Sequence, residues 1–266
     1  SMIGQSVHED LLSYGVPLLY VGDHGQLPPI NESFNLMQDP MLRLETPHRF
    51  SENSPLIKLS MLARLEGKIP FGEFSDKVKK LPKSEISKNN GDISNFVKSK
   101  SLLNGSAVIV CGFNKTRIGL NAKIRDHNEF TEHTPMIGDR VICLKNNKRS
   151  NVPLYNGAHG TIRHITKNSH LDFARSVIEM DGVNEDMFRG KMLYGAFAKE
   201  KFNSYETGPG KEVFDYGYAI TAHKSQGSEF EKVMVIEEGK YVWRENWNKW
   251  LYTAVTRSSD QLLIVG

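Results

Sequence analysis

Four short, uninterrupted apolar runs constrain the fold of this chain more than any other feature. They cover residues 16–22, 106–112, 232–236 and 261–265. A continuous apolar run of this length is typical of a strand that is buried on both faces of a parallel sheet. Helical patterns lie between the runs, the clearest of them over residues 115–128. This alternation predicts an α/β fold with a mostly parallel sheet.

The middle of the chain, residues 136–214, has a different pattern of apolar residues from the parts on either side. Short strand-like segments follow one another at 138–144, 157–163 and 176–180. The last of them ends at Asp181 and Gly182, a pair that favours a hairpin turn. We interpret this region as a small β module that is inserted between two parts of the α/β domain.

Two segments admit more than one interpretation. Residues 77–100 are rich in Lys, Ser and Asn, which favours a solvated helix or loop over a track for DNA. Trp243, Trp247 and Trp250 recur at helical spacing. They are either a platform on which the bases of single-stranded DNA stack or, as we expect, one face of a buried helix.

Composition narrows the class of protein without identifying it. The hydrophobic fraction of 39% and charged fraction of 24% are those of an ordinary globular chain, and the net charge of +3 is compatible with a nucleic-acid partner. Cys111 and Cys143 lie in apolar strands, where reduced buried thiols are expected, and the histidines show no metal-ligand spacing. No apolar run is long enough to span a membrane, so we expect a cytoplasmic protein with no membrane partner. Because the histidines lack ligand spacing, we also expect no metal site.

The segment GDHGQLPP at residues 22–29 directly follows the first apolar run. A strand that ends in Gly-Asp places polar groups at the carboxyl edge of a parallel sheet, where α/β proteins bind ligands. Gln26 can donate and accept, so it is suited to bridge a γ-phosphate or an attacking water. Taken alone, the segment is equally well explained as a proline-rich turn.

The segment YAITAHKSQGSEF at residues 218–230 is the most specific in the chain. Thr221, His223 and Lys224 offer donors that suit the phosphates of a nucleic-acid backbone. Gly227 permits close approach of the main chain to a ligand. The alternative is a generic polar loop.

The segment LYTAVTR at residues 251–257 predicts a helix that ends at Arg257. The planar, always-charged guanidinium of such a residue can stabilise charge on a transferring phosphoryl group. An arginine at a helix end is more often only a favourable partner of the helix dipole. The neighbouring motifs are therefore needed to choose between this role and a role in phosphoryl transfer.

These segments resemble motifs of superfamily 1 helicases in their RecD-like and Dda-like branch, superfamily 1B. The segments at 22–29, 218–230 and 251–257 resemble motifs III, V and VI, and LETPHRF at 44–50 resembles motif IV. Residues 137–142 and 155–161 are similar to the small SH3-like insert of that branch. The resemblance runs nearly from end to end, with the motifs in the expected order.

The resemblance implies RecA-like domains that step along single-stranded DNA and unwind duplex, with 5′-to-3′ polarity, using ATP and Mg²⁺. It divides the chain into a remnant of a first RecA-like domain (1–70), the start of a second (71–135), the SH3-like β insert (136–214) and the rest of the second (215–266). The implied catalytic residues are Gln26, which would sense the γ-phosphate, and Arg49 and Arg257, which would reach it across a cleft. The implied nucleotide-binding residues are Asp23, Gly227 and Glu229, and the implied DNA-binding residues are Thr221, His223 and Lys224.

One essential part of such a motor is missing from the sequence. GxxxxGK[ST], whose amides and lysine hold the phosphates of ATP, does not occur, and GPGK at 208–211 has the wrong spacing. The family's Asp-Glu pair is also absent, so we infer that an upstream segment has been left out, removed or lost from the gene, and a separate chain that carries it is an open alternative. We therefore expect no ATP hydrolysis by this chain alone. The alternatives are a non-catalytic nucleic-acid-binding or regulatory fragment and a motor directed at RNA.

Overall fold

The computed structural model describes residues 3–28, 34–37, 39–44, 54–168, 170–183, 186–202, 207 and 210–266. These residues form two compact units. Unit 1 comprises Ser1–Pro70 and Lys240–Thr256, and unit 2 comprises Phe71–Gly239 and Arg257–Gly266. The helices are α1 (Gln5–Ser13), α2 (Pro55–Glu66), α3 (Asp92–Val97), α4 (Ser101–Asn104), α5 (Asn114–His127), α6 (Lys240–Trp243) and α7 (Trp247–Val255).

The larger sheet of unit 2 has six strands in the order β1-β2-β11-β10-β3-β9. Its strands are β1 (Gly72–Ser75), β2 (Val78–Leu81), β3 (Ala107–Cys111), β9 (Ala219–Thr221), β10 (Phe230–Ile236) and β11 (Ser258–Val265). Only β1 pairs antiparallel; the other pairings are parallel. All five residues of β3 are buried, as its unbroken apolar sequence predicts. The predicted α/β class with a mostly parallel sheet is confirmed.

The second sheet of unit 2 has five antiparallel strands in the order β7-β6-β5-β4-β8. Its strands are β4 (Arg140–Cys143), β5 (His159–Thr166), β6 (Phe173–Met180), β7 (Met187–Leu193) and β8 (Phe214–Tyr216). Burial alternates along β6, so that one face packs on the core and the other faces solvent. The sheet occupies the region in which the sequence predicts a β module.

The apolar run at residues 16–22 does not form a strand, which corrects the prediction from sequence. A parallel strand needs neighbours to receive its backbone hydrogen bonds. Unit 1 contains no strand among its described residues. Leu19 and Val21 are accordingly 84% and 87% exposed.

The lysine-rich region 77–100 is more ordered than its composition suggests. It contains β2, which pairs with β11 inside the larger sheet, followed by a short 3-10 helix and α3. Lys80 is buried in β2, and its Nζ donates to Glu237 at 2.6 Å. The prediction of a solvated helix or loop was therefore wrong for residues 78–81, because the ion pair allows a lysine to occupy an interior position.

In unit 1, α7 packs against α2. Nε1 of Trp247 donates to the carbonyl of Gly67 at 2.7 Å, and Nδ2 of Asn248 donates to the carbonyl of Arg64 at 3.2 Å. Trp247 and Trp250 are buried and their rings stack at 5.0 Å. These two tryptophans are therefore core residues, and residues 240–256 group with 1–70 rather than with the rest of the segment 215–266.

His159 connects the two sheets of unit 2. Its ring meets the ring of Phe230 edge-on at 5.3 Å, and its Nε2 has no hydrogen-bond partner among the described residues. Burial lowers the pKa of His159 to about 4, and the nearby Arg140 acts in the same direction. The folded protein thus keeps the ring neutral.

We expect His159 to make stability depend on pH. Its folded pKa of about 4 lies below the usual 6.5, so the unfolded chain binds more protons between these values. Stability should fall as pH drops through this window, by up to about 3 kcal/mol. Urea unfolding of the wild type and His159→Gln at a series of pH values measures the contribution. Equal slopes for the two proteins between pH ~7 and ~5 would contradict this prediction.

Candidate nucleic-acid and nucleotide site

The connection between β9 and β10, residues 222–229, is a chain of tight turns and is called the crossover loop below. It begins where β9 ends at Thr221, and the amide of Ala222 still donates to Cys111 of β3 at 3.1 Å. The amide of Ser225 then donates to Thr221 at 3.0 Å, and that of Ser228 to Ser225 at 3.1 Å. Ser225 is fully buried. The loop therefore has a defined conformation, although it is neither helix nor strand.

Arg257 fixes the far end of the crossover loop. Its side chain is 4% exposed, and Nη1 donates to the carbonyl of Ser228 at 2.9 Å and to that of Ser225 at 3.4 Å. Its own carbonyl accepts from the amide of Phe230 at 2.9 Å. The helix α7 ends two residues earlier than predicted, at Val255, so Arg257 lies in the turn before β11. In the structure its guanidinium faces the loop carbonyls.

The outer part of the crossover loop is open to ligands. Gly227 has φ of +82°, and a side chain there would meet no atom within 4 Å. Gly227 and Glu229 are exposed, and Gln226 and Ser228 are partly so. The glycine is required by the left-handed backbone rather than by crowding. Exposed backbone in a fixed conformation is what close contact with a phosphate needs.

Lys224 is the cation of the crossover loop. It is half-buried, and burial lowers its pKa to about 8, while Asp215 opposes this shift and Arg117 adds to it. Burial also lowers the pKa of the neighbouring His223. Lys224 is therefore charged at neutral pH, and its ammonium group is incompletely solvated. A phosphate would stabilise that charge, because it supplies the counter-charge that water supplies elsewhere.

A buried ion pair acts electrostatically on Lys224, and sequence reasoning missed it. Nη1 of Arg117, on α5, donates to Oδ2 of Asp215, and Nη2 donates to the carbonyl of Lys199 at 2.7 Å. The other carboxylate oxygen accepts from the amides of Ala198 at 3.0 Å and Tyr216 at 2.8 Å. Both side chains are almost fully buried. In the sequence, the single indication of this ion pair is that Asp215 is a charged residue between apolar neighbours.

Glu238 positions the amino-terminal end of α5, and it too was missed. Its Oε1 accepts from the amides of Gly112 at 2.8 Å and Phe113 at 3.0 Å, and its Oε2 accepts from Thr116 at 2.8 Å. These contacts satisfy donors at the helix start and place a negative charge at the positive end of its dipole. The carboxyl ends of β3 and β10 are thereby joined.

In unit 1, Asp23 organises the segment 22–28. Its Oδ1 accepts from the amide of Gly25 at 2.8 Å. Its Oδ2 accepts from the hydroxyl of Tyr252 at 2.8 Å and from Nε2 of Gln26 at 3.3 Å. The orientation of Gln26 is thus set by a residue that the motif itself supplies and by a tyrosine of α7.

The same segment is attached to α7 at two further points. The buried amide of Leu27 donates to Oγ1 of Thr253 at 3.0 Å. A Cβ at Gly25 would lie 3.1 Å from Nε of Arg64 and from the ring of Tyr252, so a larger residue would require one of these side chains to shift. Arg64 also lies 5.6 Å from the centre of the Tyr252 ring.

The predicted site residues therefore fall in two places. Unit 2 holds Arg257 and the crossover-loop residues together with Thr221. Unit 1 holds Asp23 and Gln26. Arg49 and nearly all of the motif-IV segment lie outside the described residues. Within the described part of the chain, no group of three or more His, Cys, Asp or Glu side chains could hold a metal ion, and no helix is long and apolar enough to cross a membrane.

Comparison with known proteins agrees with these motifs. Residues 216–265, from the end of β8 through β11, match the family of UvrD-like helicase C-terminal domains. The ATP-dependent RecD2 DNA helicase of Deinococcus radiodurans is 24% identical over 291 residues, which include 100% of this chain and 35% of that protein. An uncharacterized protein of Methanocaldococcus jannaschii is 30% identical over 132 residues, which include 48% of this chain and 10% of that protein.

Among solved structures, the chain is similar to the Pif1 helicase from Bacteroides in complex with ADP-AlF3 and ssDNA. The TM-score is 0.44 at 15% identity, over 79% of this chain and 49% of that one. The Pif1 helicase from Candida albicans gives a TM-score of 0.40 at 12% identity, over 79% and 53%.

Residues 216–265, which contain the crossover loop and Arg257, thus match the UvrD-like helicase C-terminal domains, and they lie in an α/β fold whose larger sheet is mostly parallel. Over its whole length the chain is similar to the RecD2 helicase, in agreement with the resemblance of its motifs to superfamily 1B helicases. It spans about a third of the length of the RecD2 helicase and a tenth of the archaeal protein.

Proposed function

We propose that this chain is part of an ATP-dependent DNA helicase that moves along single-stranded DNA and unwinds duplex in the 5′-to-3′ direction. The observation that carries the proposal is the crossover loop. It presents Lys224 and exposed backbone at Gly227, it is held by Arg257, and it lies within the segment that matches helicase C-terminal domains.

The proposed roles follow the motifs. Thr221, His223 and Lys224 contact the DNA backbone, while Gly227 and Glu229 lie near the nucleotide with Asp23. Gln26, Arg49 and Arg257 respond to the γ-phosphate of ATP in the complete motor. The antiparallel sheet β4–β8 is the SH3-like insert of the second RecA-like domain, and residues 1–70 belong to the first.

The residues present fit only one end of ATP. Glutamine and arginine donors suit a γ-phosphate, but the sequence contains no phosphate loop, and the described residues contain no cluster of acidic ligands for Mg²⁺. We propose that the complete protein uses ATP and Mg²⁺, and that a segment beyond these 266 residues holds them. This chain would then bind DNA without hydrolysing ATP.

ATP hydrolysis by the chain, with and without single-stranded DNA, tests this part of the proposal. We expect release of phosphate at the background rate under both conditions, because nothing in the sequence cradles the β- and γ-phosphates. Heat-denatured protein is the control. DNA-stimulated turnover would show that the chain contains a phosphate site and would contradict the proposed division of the motor.

A further inference from the structure

The solvent-facing side of β5–β7 carries a concentration of cations that the proposed function does not use. This surface, called the basic face below, consists of Arg163, Arg175, Arg189, Lys191 and the adjoining Lys211. Alternation along β6 turns Arg175 away from the core. Arg163, Arg189 and Lys191 are exposed as well, and Lys211, outside the strands, is half-buried. Two carboxylates lie among them: Glu179 pairs with Arg163, and Asp172 pairs with Lys211.

Three cations of the basic face lack an acidic partner within the described residues. Arg175, Arg189 and Lys191 are exposed, and no described carboxylate lies within ion-pair distance of them. Arg175 and Lys191 are directly opposite each other on β6 and β7. Like charges in that position destabilise a sheet. An anionic ligand that binds across both strands would offset this repulsion.

The unpaired cations of the basic face lie away from the crossover loop. The loop approaches the start of β5, where a side chain at Gly157 would lie 3.9 Å from the carbonyl oxygen of Lys224, whereas Arg175 pairs with Thr166 at the other end of that strand. β6 and β7 lie at one edge of the antiparallel sheet, whereas β8, which leads into β9 and the loop, lies at the other edge. A strand also holds its side chains in fixed rows, with neighbours on one face about 7 Å apart. The cations therefore form a second, preorganised surface rather than an extension of the first.

The chemistry of the basic face favours duplex over single-stranded nucleic acid. Proteins that bind single strands without sequence preference offer aromatic rings on which bases stack. Of the Phe, Tyr and Trp residues in β5, β6 and β7, Phe188 is buried and Phe173 is half-buried. The ring of Phe173 is covered by the ammonium groups of Lys191 at 5.0 Å and Lys211 at 5.5 Å. What the face offers is charge alone, which suits phosphate backbone contacts.

We propose that the basic face binds the phosphate backbone of duplex nucleic acid. Arg175, Arg189 and Lys191 make the phosphate contacts, and the duplex lies across β6 and β7. The inference rests on the proposed function in one respect: a protein that acts on nucleic acid meets duplex nucleic acid as a ligand. It requires neither ATP nor the crossover loop.

The test compares two triple variants of the chain that remove the same charge. Arg175→Gln with Arg189→Gln and Lys191→Gln neutralises the basic face. Lys83→Gln with Lys100→Gln and Lys123→Gln neutralises three exposed lysines elsewhere in unit 2. Binding of a fluorescent, blunt-ended DNA duplex is measured by anisotropy over a range of salt concentrations. Circular dichroism confirms that both variants are folded, as expected for exposed positions.

We expect the basic-face variant to weaken duplex binding at least about tenfold at low salt and to lower the slope of log K against log salt by about 2–3, because each phosphate contact contributes about 0.9. The control variant should change the affinity less than about threefold and leave the slope nearly unchanged. Equal weakening by both variants would overturn the inference, as would a wild-type chain that does not bind the duplex.

Two further ligands test the assignment of the basic face to duplex. The basic-face variant should bind a single-stranded oligonucleotide like the wild type, and an equal loss on both DNA forms would overturn that assignment. Polyglutamate binding that falls in the variant while duplex binding persists would instead assign the face to an acidic peptide. Duplex binding through the basic face without single-strand binding would contradict the proposed function and leave this inference intact.

Discussion

Replacing Arg257 with alanine should loosen the crossover loop and weaken binding of single-stranded DNA. The guanidinium is buried and donates to the carbonyls of Ser225 and Ser228, so its removal leaves both without that donor. We expect a loss of about 1.5–3 kcal/mol in the free energy of unfolding, the usual contribution of hydrogen bonds from a charged group. We expect DNA affinity to fall roughly tenfold, which corresponds to about 1.4 kcal/mol.

Two controls separate the loop effect from a general effect of charge. Arg257→Lys keeps the charge but lacks the planar fork, so it should be intermediate in both measurements. Arg149→Ala removes an exposed arginine of the antiparallel sheet region and should change stability by less than about 0.5 kcal/mol. In a polypeptide that also carries a phosphate loop, Arg257→Ala should lower hydrolysis by ~10³–10⁵. Unchanged stability and DNA affinity would contradict the role assigned to Arg257.

Replacing Asp215 with alanine should have the largest effect on stability. The change leaves the Arg117 guanidinium buried without its counter-charge, and it removes the acceptor of the Ala198 and Tyr216 amides. Breaking one half of a buried ion pair costs about 3–5 kcal/mol. Denaturant unfolding of the wild type and the variant measures the loss.

Asp126→Ala, which removes an exposed carboxylate from the same helix as Arg117, is the matched control and should cost less than about 0.5 kcal/mol. The double variant Arg117→Met with Asp215→Ala should be less destabilised than the sum of the two single changes, because the unpaired charge is gone. Strict additivity would show that the two side chains do not act as a pair.

Much of the fold could be predicted, because a strand that is buried on both faces of a sheet has a continuous apolar sequence. β3, β10 and β11 lie where continuous apolar runs predict them. The run at 16–22 looks the same in sequence but forms no strand, since an apolar run does not specify its partners. β2 was missed for the opposite reason: Lys77, Lys79 and Lys80 conceal a strand that pairs with β11.

The candidate site could be predicted where its residues are neighbours in sequence. Thr221 to Glu229 form one loop, and Asp23 and Gln26 share another, so their motifs identify them together. The polar pairs near these residues join positions that are distant in sequence: Arg117 and Asp215 are 98 residues apart, and Asp23 and Tyr252 are 229 apart. No local pattern connects such pairs. The burial of Arg257 was likewise hidden, because the sequence does not show which carbonyls the guanidinium meets.

The measurement that tests the account most directly is binding of a single-stranded oligonucleotide to this chain and to Lys224→Met, followed across pH. The account predicts salt-sensitive binding by the wild type that weakens as pH rises through about 8, where Lys224 without bound DNA loses its proton. The methionine variant should bind more weakly and lose that pH dependence. A wild-type chain that binds no single-stranded DNA, or a variant that binds it equally well, would contradict the assignment of the crossover loop to nucleic acid.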